Sequence, residues 1–114
     1  MSGLRILCVE NQPDEMAVLT KLLEGIGYEV LPATTGDQAI DLFNRKPIDG
    51  VLLEYDLPDV TGTTVRTELK RIRPDIPVLL FAGVGLQTPF MLRFFDAYLR
   101  GSVRGRNGGA DNES

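Results

Sequence analysis

Short runs of apolar residues alternate along this chain with longer segments whose apolar positions recur at a helical period. Leu4 to Val9 is mostly apolar and stops at Glu10, Asn11, Gln12, Pro13 and Asp14, as a strand buried on both faces of a parallel sheet would. Met16, Leu19, Leu22, Leu23 and Ile26 then share one helical face, and Gly25 and Gly27 supply a C-terminal stop. The unit repeats. Tyr28 to Pro32 reads as a strand, and Thr35 can cap a helix whose apolar face is Ala39, Ile40, Leu42 and Phe43. Ile48 to Tyr55 reads as a third strand. Turn chemistry around Pro58 leads to a helix marked by Val65, Leu69 and Ile72, and Val78 to Ala82 reads as a fourth buried strand.

Strands that alternate with helices at this spacing imply a parallel sheet with right-handed crossovers and helices on both faces, an α/β doubly wound architecture. After Gly85 the pattern leaves two readings open. Thr88 and Pro89 suit a helix start, and Phe90, Met91, Phe94, Phe95, Tyr98 and Leu99 keep helical spacing. A single helix over 89–100 satisfies that spacing; so does a short helix ending near Phe94, followed by a fifth strand over 96–100. Beyond Gly101 apolar periodicity ends. A domain over residues 3–101 and a flexible tail over 102–114 are therefore expected.

The chain has 114 residues, room for one domain, and its 43% hydrophobic and 25% charged composition is that of a protein with a core. A net charge of -4 argues against capture of a nucleic-acid backbone, and Arg100, Arg104 and Arg106 form only a small basic cluster. The lone Cys8 can build neither an internal disulfide nor a metal cage, so burial is expected of it. No apolar run is long enough to cross a bilayer and no signal peptide is evident, which places the expected location in the cytoplasm.

Loops at the C-terminal ends of parallel strands gather on one edge, where ligand chemistry concentrates. Glu10 and Asn11 follow the first strand; Glu54 and Asp56 close the third, its neighbour in the doubly wound order. Carboxylates and an amide sharing one crevice can hold a hard cation such as Mg²⁺, or present a nucleophile to a phosphoryl group beside it. Solvated loop residues are the simpler alternative.

The stretches from Ile6 to Asp14 and from Val51 to Gly62 resemble the response regulator receiver domain of two-component signalling, and the resemblance runs from about Leu4 to about Gly101. It implies a flavodoxin-like (βα)5 fold with sheet order 2-1-3-4-5, and it selects the fifth-strand reading for 96–100. Receivers place their phosphoacceptor aspartate four residues before the proline matched by Pro58; this chain has Glu54 there. Ala82 stands where the family has a threonine or serine, Tyr98 matches its aromatic switch, and Gly101 falls where its lysine belongs. Asn11 replaces the second carboxylate of the acidic pair begun by Glu10.

These departures all bear on one site. Glutamate carries its oxygens roughly 1.5 Å further out than aspartate, which spoils near-attack geometry. Without the hydroxyl and the ammonium, a phosphoryl group of about -1.5 to -2 charge loses its side-chain donors. The resemblance with these losses implies a degenerate receiver, not an enzyme, that signals by protein contact without phosphorylation. The alternative is an acceptor at Asp56. Weak Mg²⁺ binding by Glu10, Asn11, Glu54 and Asp56 remains an expectation, and the small Ala82 leaves room for Tyr98 to pack inward.

The family's fifth helix, which packs beside the first, has no counterpart after Gly101, so uncovered apolar surface and association with a signalling protein or a second copy are expected. A flavin-binding protein of the same topology is a further possibility. The acidic loop from Glu10 to Asp14, which lacks a glycine-rich phosphate cradle, argues against it.

Overall fold

The computed structural model describes residues 3–112, with side chains for residues 3–105. The chain forms β1 (Arg5–Val9), α1 (Pro13–Ile26), β2 (Glu29–Ala33), α2 (Gly36–Arg45), β3 (Gly50–Glu54), α3 (Gly62–Ile72), β4 (Val78–Phe81) and α4 (Thr88–Asn112). The four strands are parallel in the order β2-β1-β3-β4, with Val9 opposite Leu53 and Glu54 opposite Phe81.

Strand alternation divides the core in two. Leu7, Val9, Val51 and Leu53 face α2 and α3, meeting Ala39, Phe43, Val65 and Leu69. Ile6, Cys8, Leu52 and Phe81 face the other layer, meeting Leu19 and Leu23 of α1 and Leu92, Phe95 and Leu99 of α4. Cys8 is fully buried, as its sequence context predicts. Local signals set the helix ends. Thr35 accepts from the Gln38 N–H at the start of α2, and Gly27, at φ 113, closes α1 by bonding back to Leu23 and Glu24 carbonyls.

The C-terminal third departs from expectation. Residues 96–100 belong to α4, so the described residues contain no fifth strand and the sheet stops at β4. The reason is the spacing of Leu92, Phe95, Leu99 and Val103, three and then four residues apart, which puts all of them on one helical stripe docked on the sheet. Gly50 makes this docking close, since a Cβ there would lie 3.1 Å from a Leu99 methyl. The surface expected to lie bare beside α1 is therefore covered, by α4 itself. Its placement is fixed by Asp96, which accepts a hydrogen bond from the Tyr28 hydroxyl, and by Arg100, whose guanidinium sits 5.5 Å from the Tyr28 ring centre. The helix also runs into the segment expected to be a tail, as far as Asn112, and residues 113–114 lie outside the described residues.

Candidate functional site

Parallel strands bring the ends of β1 and β3 together, and the two glutamates that close them meet there. Glu10 is 1% exposed. Its Oε2 accepts from the Gln12 N–H at 2.9 Å, while Oε1 is buried without a hydrogen-bond partner among the described residues. Glu54, also buried, accepts twice: its Oε2 from the Asp56 N–H at 3.0 Å and its Oε1 from the Gly83 N–H at 2.9 Å. One carboxylate thus ties the loop after β3 to the loop after β4. Gly83 sits at φ 78, in the left-handed region that glycine adopts without steric cost.

Glu15, in the first turn of α1, completes the group. Oxygens of Glu10, Glu15 and Glu54 lie within 4.8 Å of one another. Gln12, Asp56, Ala82 and Gly83 line the same crevice of about 350 Å³. Burial, then the neighbouring Glu54 and Glu15 carboxylates, push the Glu10 carboxyl up to about 7 against the opposing pull of the Gln12 N–H. Below neutral pH the Glu10 carboxyl therefore keeps its proton, and it loses it as the pH rises through neutrality. Burial, with a smaller push from Glu10, raises the Cys8 thiol to about 12, far from a reactive thiolate.

The positions singled out in the sequence fare differently. Glu10, Glu54, Asp56 and Ala82 do converge on the crevice. Asn11 does not join them; its side-chain oxygen faces Gln12 Nε2 at 3.4 Å. Tyr98 and Gly101 sit on α4, away from the crevice lining. Tyr98 is partly exposed against Phe94, their ring centroids 6.4 Å apart, and has not packed inward over Ala82. Their assignment as switch and lysine equivalents depended on a fifth strand, and helix replaces it.

Two participants escaped the sequence reading. Glu15 carried a faint signal, as an acidic residue in the first turn after Pro13, where helix-dipole attraction gives it an ordinary explanation. Gly83 acts through its backbone N–H, which no residue type announces. Asp59 adds a support from the same loop: its carboxylate accepts from the Gly36 and Asp37 N–H groups at the start of α2, and those bonds hold it below the usual carboxylate range.

The wider likeness is consistent with this architecture. Residues 6–101 match the family model of the response regulator receiver domain. The transcriptional regulatory protein TcrA of Mycobacterium tuberculosis is 31% identical over 112 residues, covering 98% of this chain. The chain spans only 40% of the length of TcrA. Among solved structures, the response regulator TrrA of Thermotoga maritima, in complex with Mg²⁺ and BeF, superposes with a TM-score of 0.69 at 27% identity, over 74% of this chain and 73% of that one. A two-component response regulator from Clostridium difficile gives 0.73 at 18% identity, over 91% and 98% of the two chains, which speaks to the fold alone. No helix among the described residues is long and apolar enough to cross a membrane. With the family model matching most of its length, the chain belongs to the response regulator receiver domains of two-component signalling.

Proposed function

We propose that this receiver works without aspartyl phosphorylation, as a non-catalytic interaction module in which Glu54 keeps the loops after β3 and β4 fastened together. The observation that carries the reading is the pair of bonds from the Asp56 and Gly83 N–H groups to the two oxygens of Glu54. Backbone N–H groups at such loop ends are the donors available to a phosphoryl group. Here they already serve a carboxylate. Attack by Glu54 on a phosphodonor would disturb both bonds, each worth roughly 1.5–3 kcal/mol to a charged acceptor. Ala82, which lines the same crevice, brings no hydroxyl to offset that loss.

The donor set fits a hard divalent cation, because a buried Glu10 oxygen without a partner among the described residues lies beside two further carboxylates. Glu10, Glu15 and Glu54 would hold it. A bound Mg²⁺ would supply positive charge that displaces the Glu10 proton and relieves the repulsion among the three side chains. As partner, a histidine kinase or a related signalling protein fits best, since TrrA has been solved in complex with the histidine kinase ThkA.

A second reading, phosphorelay through Asp56, rests on one observation: Asp56 is exposed and borders the crevice. Intact mass after incubation with acetyl phosphate and Mg²⁺ tests both. No mass gain is expected. A gain of one phosphoryl group that vanishes in Asp56→Asn would establish the second reading; a gain that persists in that variant and vanishes in Glu54→Gln would make Glu54 an acceptor and overturn the proposal.

A further inference from the structure

The sheet ends at β4, and among the described residues no strand pairs with its outer edge. Pro77 and Phe81 direct their carbonyls at β3, accepting from the Val51 and Tyr55 N–H groups. Alternation therefore turns the N–H and C=O of Val78 and Leu80 outward, away from the sheet. Edge strands are ordinarily guarded by charge, proline or a bulge. This one is guarded only at its entry, where Lys70 of α3 donates to the Ile76 carbonyl; Pro77 precedes the strand, and residues 76–92 contain no charged side chain.

Helix α4 extends the uncharged surface. Asp96 and Arg100 lie on its flank toward Tyr28, which leads into β2 at the far side of the sheet. At 3.6 residues per turn, Met91, Phe94 and Tyr98 fall on the opposite flank, the side of β4. Phe94 is 64% exposed and Tyr98 39%, and Leu86 in the intervening loop is 96% exposed. Backbone groups seeking partners and aromatic rings seeking cover thus lie side by side.

We propose that a second copy of this chain occupies this edge, its β4 antiparallel to the first, so that one sheet runs continuously across a twofold axis. With Leu79 of the two copies opposed at the axis, Val78 and Leu80 of the partner subunit exchange both backbone bonds, as do their symmetry mates. An axis perpendicular to the sheet also brings both α4 helices onto one face. Their Met91, Phe94 and Tyr98 flanks then cover each other. The choice of a second copy follows from charge. A twofold contact sets each patch against itself, so any net charge on it would repel, and this chain carries -4 overall. The uncharged run is where like can meet like. A foreign partner would require no such neutrality and would commonly be selected by complementary charge.

The inference is independent of the chemistry at Glu54, so its failure would leave the phosphorylation-independent reading standing. It is tested by sedimentation over a concentration series, hydrogen exchange of the Val78 and Leu80 amides, and a Phe94→Glu/Tyr98→Glu variant. A dimer is expected, with both amides protected only at dimer-forming concentrations. The double variant should keep its circular dichroism, because both side chains are exposed, and weaken association roughly 100-fold or more. A monomer at every concentration would overturn the inference. So would a dimer in which those two amides exchange as fast as in the monomer, a result read on the unmodified chain and therefore decisive even if the variant misfolds.

Discussion

Glutamine in place of Glu10 should make the domain more stable in alkaline buffer while changing little in mild acid. Glu10 is 1% exposed and its Oε1 lacks a hydrogen-bond partner among the described residues. Its carboxyl rises from 4.5 to about 7, first through burial and then through the nearby Glu54 and Glu15. A raised carboxyl gives stability that is fully present below the unfolded value and is lost as pH climbs through the folded one. Between the two the unfolded chain has released its proton and the folded chain has not, so each unit of pH lowers stability by about 1.4 kcal/mol. The full interval amounts to about 3 kcal/mol, reached slightly above neutrality. Glutamine keeps the neutral shape, can donate to the neighbouring carboxylate, and has no proton to lose. Urea unfolding in the presence of a chelator, at about pH 5 and about pH 8.5, measures the difference. The variant should match the parent within about 1 kcal/mol at the lower pH and exceed it by about 3 kcal/mol at the higher. Equal or lower stability of the variant at the higher pH would refute the crowded-carboxyl argument.

Mg²⁺ should raise the unfolding midpoint of the parent chain more at alkaline than at acidic pH, because cation and proton compete for the same oxygens, and Glu15→Gln should reduce the gain; thermal melts with and without the ion check this. Phe95→Ala should cost about 3–5 kcal/mol by opening a cavity between α4 and the sheet, whereas Phe94→Ala, one residue away on the exposed flank, should stay within about 0.5 kcal/mol in dilute solution; urea titrations separate them. Gly62→Ala should destabilise the start of α3, since the added Cβ would lie 2.5 Å from the Glu54 carbonyl oxygen and 2.8 Å from Tyr55 Cα. Both are backbone atoms that cannot rotate away, and loss of protection at the Gly62 amide, which bonds to the Tyr55 carbonyl at 2.6 Å, would report the break.

The first four strands and three helices were legible because each carries one period and a recognisable end. Leu19 and Leu23 mark the buried side of α1, Thr35 caps α2, and Gly27 closes α1 in the left-handed region. The last third was legible only in part. Leu92, Phe95 and Leu99 have helical spacing, yet the likeness of residues 96–101 to a receiver's fifth strand pointed the other way, and tertiary burial of the stripe decided in favour of helix. At the crevice, Glu10 and Glu54 could be placed because strand ends in a parallel sheet share an edge. What Glu54 bonds to could not, because Asp56 and Gly83 contribute backbone N–H groups whose direction is set by loop conformation. Asn11 was misplaced for a related reason, since sequence adjacency to Glu10 does not fix which way a loop side chain turns.

The most direct test of the account is the amide spectrum of the chain, with Mg²⁺ alone and with Mg²⁺ plus beryllofluoride as phosphoryl analogue. If Glu54 holds the Asp56 and Gly83 N–H groups, their resonances should stay where Mg²⁺ alone leaves them when the analogue is added. Large, saturable shifts of both amides on addition of beryllofluoride would show that they are free to receive a phosphoryl group, and would contradict the claim that a carboxylate already fills their place.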